Sequence, residues 1–220
     1  MTSFTEENYL KAIFKLLEKN NGAITTNSIA EKINTKAASV TDMLQKLSEK
    51  KFINYQKYQG VTLTEQGRKI ALSIIRKHRL WEMFLVEKLN FKWDEVHEIA
   101  EQLEHINSNK LVERVDKFLD HPKFDPHGDP IPDVNGKIIT QKSCYASHLQ
   151  KNEIGIMTGV VDHSDKFLQY LDRISISLGD EIKIQGIEEY DHSFLISVNK
   201  KATIHLSNQV AQNILVTIKK

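Results

Sequence analysis

Six side chains, His78, Glu82, His97, Glu101, Glu104 and His105, crowd into two short stretches of this chain. Between them they offer only imidazole nitrogens and carboxylate oxygens, the donors that Mn, Fe(II), Zn, Co or Ni accept. A helix advances about 100° per residue, so the faces that carry them can be read from spacing. From Arg68 to Lys88 the spacing predicts a helix on which Ile70, Ala71, Ile74, Ile75, Trp81 and Leu85 share an apolar stripe; His78 and Glu82, one turn apart, fall inside it. Chargeable side chains are rarely buried without partners, so this pair is expected to hydrogen-bond internally or to bind something. A second predicted helix, Trp93 to Ile106, buries Val96, Ile99, Ala100, Leu103 and Ile106. His97, Glu101, Glu104 and His105 gather within roughly a 100° arc on its other side. A solvated face gives such an arc too, but it would mix in Lys, Ser and Gln; this one does not.

The chain that must position these groups has 220 residues, 40% of them apolar and 27% charged, the composition of a globular protein with room for more than one domain. No apolar run approaches the roughly 20 residues that span a bilayer, and the amino terminus lacks the layout of a signal peptide. The expected location is therefore cytoplasmic, with no membrane partner. Cys144 is the single cysteine, which excludes a disulfide framework and a thiolate metal cluster. The formal net charge of +1 conceals an asymmetry. Lys and Arg outnumber Asp and Glu 14 to 7 over residues 1–79, are outnumbered 6 to 13 over 80–135, and stand 10 to 9 over 136–220. A basic first third suits a phosphate backbone, and an acidic middle with embedded histidines suits a divalent cation.

In the first third, a helix from about Thr5 to Lys19 would bury Tyr9, Leu10, Ile13, Phe14 and Leu17 before a break at Asn20-Asn21-Gly22. Thr26 is placed to cap a short helix burying Ile29, Ala30 and Ile33, and Thr35 to cap a further helix, Lys36 to Lys50. On the latter, Ala37, Val40, Met43, Leu44 and Leu47 are expected to face inward and Ala38, Ser39, Asp42, Gln45, Lys46 and Glu49 outward. Two short helices joined by a tight turn form a helix-turn-helix, which lays the start of its second helix in the major groove of double-stranded DNA. Lys36, Ser39, Thr41, Asp42 and Lys46 are the candidates for base edges or flanking phosphates. Phe52 to Tyr55 and Val61 to Leu63 alternate around a Gly-containing turn, giving a β-hairpin wing whose Lys57 and Tyr58 could touch the backbone.

The last third changes character. A loop with Pro122, Pro126, Gly128, Pro130 and Pro132, then a turn at Asn135-Gly136, separates it from the helical part. Short β runs follow at Ile156-Val161, Glu181-Ile187, Phe194-Val198, Ala202-Leu206 and Ile214-Ile218, with a helical insert near Asp165-Ile174. That density of strands suggests a small barrel. The expected organisation is mainly α with a β C-terminal domain: a winged helix-turn-helix over 1–63, a helical unit over 64–136, a linker over 137–154 and a barrel over 155–220.

Glu7-Asn8-Tyr9-Leu10, the winged helix, Arg76-Lys77-His78-Arg79-Leu80-x-Glu82, Val96-His97-Glu98-x-x-Glu101-x-Leu103-Glu104-His105 and Pro126-His127-Gly128-x-x-Ile131-Pro132 occur in this order along almost the whole chain. Together they resemble the diphtheria toxin repressor family, in particular its manganese-transport regulators. The resemblance implies a homodimeric, metal-dependent transcriptional repressor of metal-uptake genes, not an enzyme, with an SH3-like barrel. It implies a primary metal site at Glu101, Glu104 and His105, closed from the first helix at Asn8. It also implies an ancillary site at His78, Glu82, His97 and His127, with His163 where relatives place a barrel ligand.

Three positions depart from the family pattern. Asn8 stands where Asp or Met is usual, Lys11 where some manganese-binding relatives are acidic, and His163 where the barrel ligand is acidic. Glu101 replaces the Cys of iron-type members, and a carboxylate in place of a soft thiolate shifts preference toward Mn(II), with Fe(II) second and Zn(II) able to bind in vitro. A cation drawing the first helix, through Asn8, onto the helix bearing Glu101 and His105 would fix the angle between the winged helix and the dimer core, and only one spacing of the two recognition helices matches successive major grooves, about 34 Å apart. The alternatives are a metal-independent winged-helix regulator and a metal-dependent hydrolase. The hydrolase is disfavoured because no open-site His-Glu-x-x-His pattern occurs, and nothing points to a small organic substrate.

Overall fold

The computed structural model describes residues 2–20, 22–56 and 59–219. Lys57 and Tyr58, expected at the tip of the wing, lie outside the described residues. Helix α1 (Phe4–Lys19) opens with a complete capping box, in which the Ser3 side chain accepts from the backbone of Glu6 and the Glu6 carboxylate accepts from the backbone of Ser3. Helix α2 (Thr26–Lys32) is capped by Thr25, not Thr26: one residue earlier, its hydroxyl reaches the Ser28 N–H. Helix α3 (Ala37–Glu49) starts at Lys36 without a side-chain cap, so Thr35 does not serve as one. Val40, Leu44 and Leu47 are fully buried, whereas Ala37 is exposed, because the first turn of α3 projects beyond the helices that cover the rest of it. Strands β1 (Ile53–Gln56) and β2 (Gly60–Leu63) form the antiparallel wing.

Helix α4 (Glu65–Leu89) is the axis of the molecule. It begins three residues before its expected start because Thr64 caps it, accepting from the Gly67 N–H. Its first half adds Ala71, Leu72 and Ile75 to the core of α1, α2, α3 and the wing. Its second half adds Leu80 and Trp81 to a separate core with α5 (His97–Leu103) and α6 (Asn109–Phe118). At 25 residues it runs about 37 Å, so one rigid element crosses both cores and carries His78 and Glu82 between them. Helix α5 is shorter than expected. Residues 93–95 form a turn, in which the Glu95 side chain accepts from the Lys92 N–H. Helix α6, capped by Ser108, had no counterpart in the sequence reading.

Cys144–Tyr145 (β3) opens the last unit by pairing with β8 (Ile214–Ile218), although this stretch was expected to be linker. Strands β4 (Ile154–Val160), β5 (Glu181–Ile187), β6 (Phe194–Val198) and β7 (Ala202–Leu206) complete an antiparallel sheet in the order β3-β8-β4-β5-β6-β7. Register shifts at Met157/Gly159 and Ile184/Gly186 bend it around a core that includes Leu149, Ile182, Ile196 and Val216. Helix α7 (Asp165–Arg173) contributes Leu168 and Leu171 to that core, and the short α8 (Asn208–Ala211) precedes β8. The unit is the SH3-like domain expected.

Candidate metal centre

The buried Glu82 carboxylate lies at the centre of three imidazoles. Its Oε1 is 3.0 Å from His78 Nε2 and 3.3 Å from His97 Nδ1, and its Oε2 is 3.8 Å from His127 Nδ1. Two overlapping sets of possible ligand atoms result, His78-Glu82-His97 and Glu82-Asp125-His127. Asp125 was not anticipated; the available signal was an acidic side chain two residues before His127, in a proline-rich loop with a tight Gly128.

Two arginines of α4 hold that loop. Arg79 donates to Pro130 O at 2.6 Å and Asp129 Oδ2 at 2.7 Å, and Arg76 donates to Pro132 O at 2.7 Å while pairing with Asp116 at 2.9 Å. Asp125 Oδ1 accepts from the backbone of His127 and of Asp129, both at 2.9 Å. Gly128 has φ +89°, and a Cβ there would lie 2.1 Å from Thr158 O, so the loop needs glycine to lie against β4. The contact is closed by Val160 N–H donating to His127 O at 3.0 Å. His163 stacks on His127 at 4.9 Å, and its Nε2 donates to Val160 O at 3.3 Å. The barrel therefore reaches this centre through one imidazole and one strand.

The chemistry of the donors tests whether a cation fits. Nε2–H of His127 donates to Trp93 O at 2.8 Å, which leaves Nδ1 buried and without a hydrogen-bond partner, facing a carboxylate. Two lone pairs facing each other in a buried site need a proton or a metal ion between them. In the metal-free chain the proton serves. Burial alone would lower the His127 pKa, but the facing Glu82 carboxylate and the charge of Asp125 outweigh burial and raise it to about 9. His78 is raised for the same reason, with Glu104 and Glu82 outweighing burial. Burial works to raise Glu82, yet the imidazoles of His127, His78 and His97 around it hold it well below the usual carboxylate range. Burial, with the charges of Glu82 and Asp129, pushes Asp125 up to about 7. Imidazole and carboxylate donors that share protons at this spacing suit Mn(II), Fe(II) or Zn(II), which compete for the same lone pairs.

The second expected group is arranged differently. Glu104, just past the end of α5, is completely buried, and both its oxygens lie 2.7 Å from Lys11 Nζ. Its Oε2 also accepts from His78 Nδ1 at 2.6 Å, and these partners hold its pKa down against burial. Glu101 is half-exposed, with Oε1 3.4 Å from Lys11 Nζ and 3.6 Å from His97 Nε2. His105 Nδ1 is 2.7 Å from Glu7 Oε2, and its Nε2 is 3.9 Å from Glu104 Oε1. Asn8 is exposed and its side chain makes no hydrogen bond among the described residues; Glu7, its neighbour on α1, is the residue that reaches His105. The donor types would suit a hard cation, but Glu104 is already satisfied by an ammonium and an imidazole.

Lys36, just before α3, and Ser39, Asp42 and Lys46 on it are exposed, as a face meeting a phosphate backbone requires. Thr41 is half-buried, and its hydroxyl donates to Ala37 O at 3.0 Å, so it is less available than Ser39 and Asp42. Lys50, at the end of α3, is 2.6 Å from Glu6 of α1.

A winged helix whose core shares one long helix with a buried His/Glu centre defines a class: DNA-binding regulators built around a metal-ligand cluster. The profile "Iron dependent repressor, N-terminal DNA binding domain" matches residues 1–61, and "Iron dependent repressor, metal binding and dimerisation domain" matches 64–133. The "FeoA domain" profile matches 146–218. An uncharacterised HTH-type transcriptional regulator of Methanocaldococcus jannaschii is 38% identical over 114 residues, 52% of this chain and 91% of that protein. The iron-dependent repressor IdeR of Mycobacterium tuberculosis is 33% identical over 128 residues, 58% of this chain; the match spans about half of IdeR, 55%. A solved manganese-dependent transcriptional repressor in complex with manganese is 34% identical, superposes with a TM-score of 0.88, and is covered over 97% of this chain and 99% of that one. The chain belongs to the diphtheria toxin repressor family of metal-dependent transcriptional repressors. Among the described residues no helix is long and apolar enough to cross a membrane.

Proposed function

We propose that this chain represses transcription as a homodimer that binds operator DNA when Mn(II), or secondarily Fe(II), occupies the centre around Glu82. The observation that carries this reading is α4 itself: the helix that completes the winged-helix core with Ala71, Leu72 and Ile75 presents His78 and Glu82 to His97, Asp125 and His127. Glu82 would hold the ion together with His78 and His97 or with Asp125 and His127, with His163 stacked beside His127. The bound cation would supply positive charge where buried protons otherwise stand. The preference for Mn(II) rests on the likeness to manganese-dependent repressors; three imidazoles and two carboxylates would also take Zn(II), which binds such sites more tightly, and selectivity then depends on geometry and supply. Ser39 and Asp42 would read base edges, and Lys36 and Lys46 would meet phosphates. Phe118 is 64% exposed beside Phe84, Leu111 is partly exposed, and this apolar face of α4 and α6 is the proposed dimer contact.

The test selects a binding sequence from random duplexes with the full chain and Mn(II), then measures its affinity with Mn(II), Fe(II), Zn(II) and chelator. Binding that needs metal supports the reading. Equal binding in chelator makes the protein a metal-independent regulator, and no selected sequence in any condition rejects DNA recognition by α3.

A further inference from the structure

Lys11 belongs to α1, yet its ammonium lies among the acidic side chains at the end of α5. Each of its three N–H groups has an acceptor: Glu104 Oε1 and Oε2 at 2.7 Å and Glu101 Oε1 at 3.4 Å. Lys11 is 7% exposed and Glu104 is 0% exposed, so this is a buried charge pair with every donor used. Such a pair depends on both members, because removing one leaves an uncompensated buried charge. It joins elements 93 residues apart in sequence. Its position matters because Glu104 and Glu101 are two of the donors that a cation at the end of α5 would use.

We propose that Lys11 acts as a tethered counter-cation: its ammonium holds Glu104 and Glu101, pins α1 to α5 without any metal, and must be displaced before a divalent ion can use those carboxylates. An ammonium and a dication cannot share the two oxygens of one buried carboxylate without strong repulsion. Lys11 can leave, since its stem is flexible, but departure exposes Glu104 unless the ion replaces it fully. The chain then has one tight metal centre, around Glu82, and a second of much lower affinity whose threshold is set by Lys11. This rests on the reading of the Glu82 centre as metal-binding and adds what distinguishes the two clusters.

The experiment counts Mn(II) bound to the full chain by the loss of the free-ion electron paramagnetic resonance signal, supported by calorimetry. The wild type should take up one tight equivalent, with any second at least tenfold weaker. Lys11→Met removes the charge at similar length, and Lys11→Gln keeps a donor to Glu104 without charge. Either should tighten the second equivalent at least tenfold and leave the first within about threefold. Should neither variant fold, the wild-type count decides: one tight equivalent upholds the proposal, and two of equal affinity overturn it. Second-site affinity unchanged in a folded Lys11 variant also overturns it. No tight equivalent in the wild type, with His78→Ala no different, would instead reject the metal reading of the Glu82 centre, and this proposal with it.

Discussion

Replacing Glu82 by Gln tests the centre most directly, because this one carboxylate faces three imidazoles at 3.0, 3.3 and 3.8 Å and is 2% exposed. In the metal-free protein the cost should be moderate, about 1–3 kcal/mol, since the charge that keeps protons on His78 and His127 disappears and those rings can become neutral. For the metal the loss is larger, because a hard anionic donor becomes a neutral amide. Even residues that only orient metal ligands are worth roughly 10–100-fold in affinity, so a loss of about 100-fold is the minimum expected. At a Mn(II) concentration near 100 times the wild-type Kd, binding stabilises the wild type by about 2.7 kcal/mol; the variant, then near its own Kd, gains about 0.4 kcal/mol. For a chain of this size, 1 kcal/mol moves Tm by roughly 2–4 °C. Mn(II) should therefore raise the Tm of the helical part by about 5–10 °C in the wild type and by about 1–2 °C in the variant. Differential scanning calorimetry with and without Mn(II) reads this. Equal metal-induced shifts in the two proteins would refute the assignment of Glu82 as a ligand.

Replacing Ser39 and Asp42 together by Ala should reduce discrimination between the selected duplex and random competitor by about 10-fold or more, as base contacts are worth about 1–3 kcal/mol each, while non-specific binding holds; unchanged discrimination in a competition assay removes α3 as the reading helix. Glu6→Gln should destabilise the winged helix at neutral pH and converge with the wild type as the pH is lowered, in urea unfolding. Burial works to raise the Glu6 pKa, but Lys50 and the Ser3 N–H lower it, so its contribution exists above the ordinary glutamate value and vanishes as pH falls through the lowered one. A wild-type advantage that persists in acid contradicts this account. Gly128→Ala should drive the loop off β4, because its Cβ would lie 2.1 Å from Thr158 O, and Mn(II) affinity should fall roughly 10–100-fold as Asp125 and His127 move. Unaltered affinity by calorimetry would show that the loop–barrel contact does not position them.

The helices were legible where their apolar faces repeat. Val40, Leu44 and Leu47 are buried as the spacing of α3 requires, and His78 and Glu82 lie inside the apolar stripe of α4 and are indeed buried. Boundaries set by side-chain capping shifted by one to three residues, since Thr25 and Thr26 offer the same chemistry and only the backbone path chooses between them. Helix α6, outside the expected elements, carries the same kind of repeat, with Leu111, Val112, Val115 and Phe118 on one face and Lys110, Glu113, Arg114 and Lys117 on the other. At the centre, residue types pointed to the cluster around Glu82, but Asp125 comes from a loop with no periodicity to orient it. The expectation for Asn8 came from the family pattern alone. The register of α1 turns Asn8 to solvent and brings Glu7 to His105, a choice that depends on how α1 packs on α4 and that no local spacing encodes.

That packing also gives the centre a physical route to the DNA-binding unit. The His78 ring spans both clusters: Nε2 faces Glu82 and His97, while Nδ1 is bonded to Glu104, which holds Lys11 of α1. The same α1 places Leu10, Ile13 and Phe14 in the winged-helix core and uses Glu6 to hold Lys50 at the end of α3. A change in what His78 Nε2 binds is thus two hydrogen bonds from a rigid 16-residue helix that supports α3, the helix proposed to read DNA. Coupling along such a route is a free energy shared by both ends, so it must act in both directions. Duplex DNA that fits α3 should tighten Mn(II) at the Glu82 centre by the same factor by which Mn(II) tightens the duplex, and Lys11→Met should lower both factors together. Coupling that survived the loss of Lys11 undiminished would have to run through α4 alone, by way of Ala71, Leu72 and Ile75.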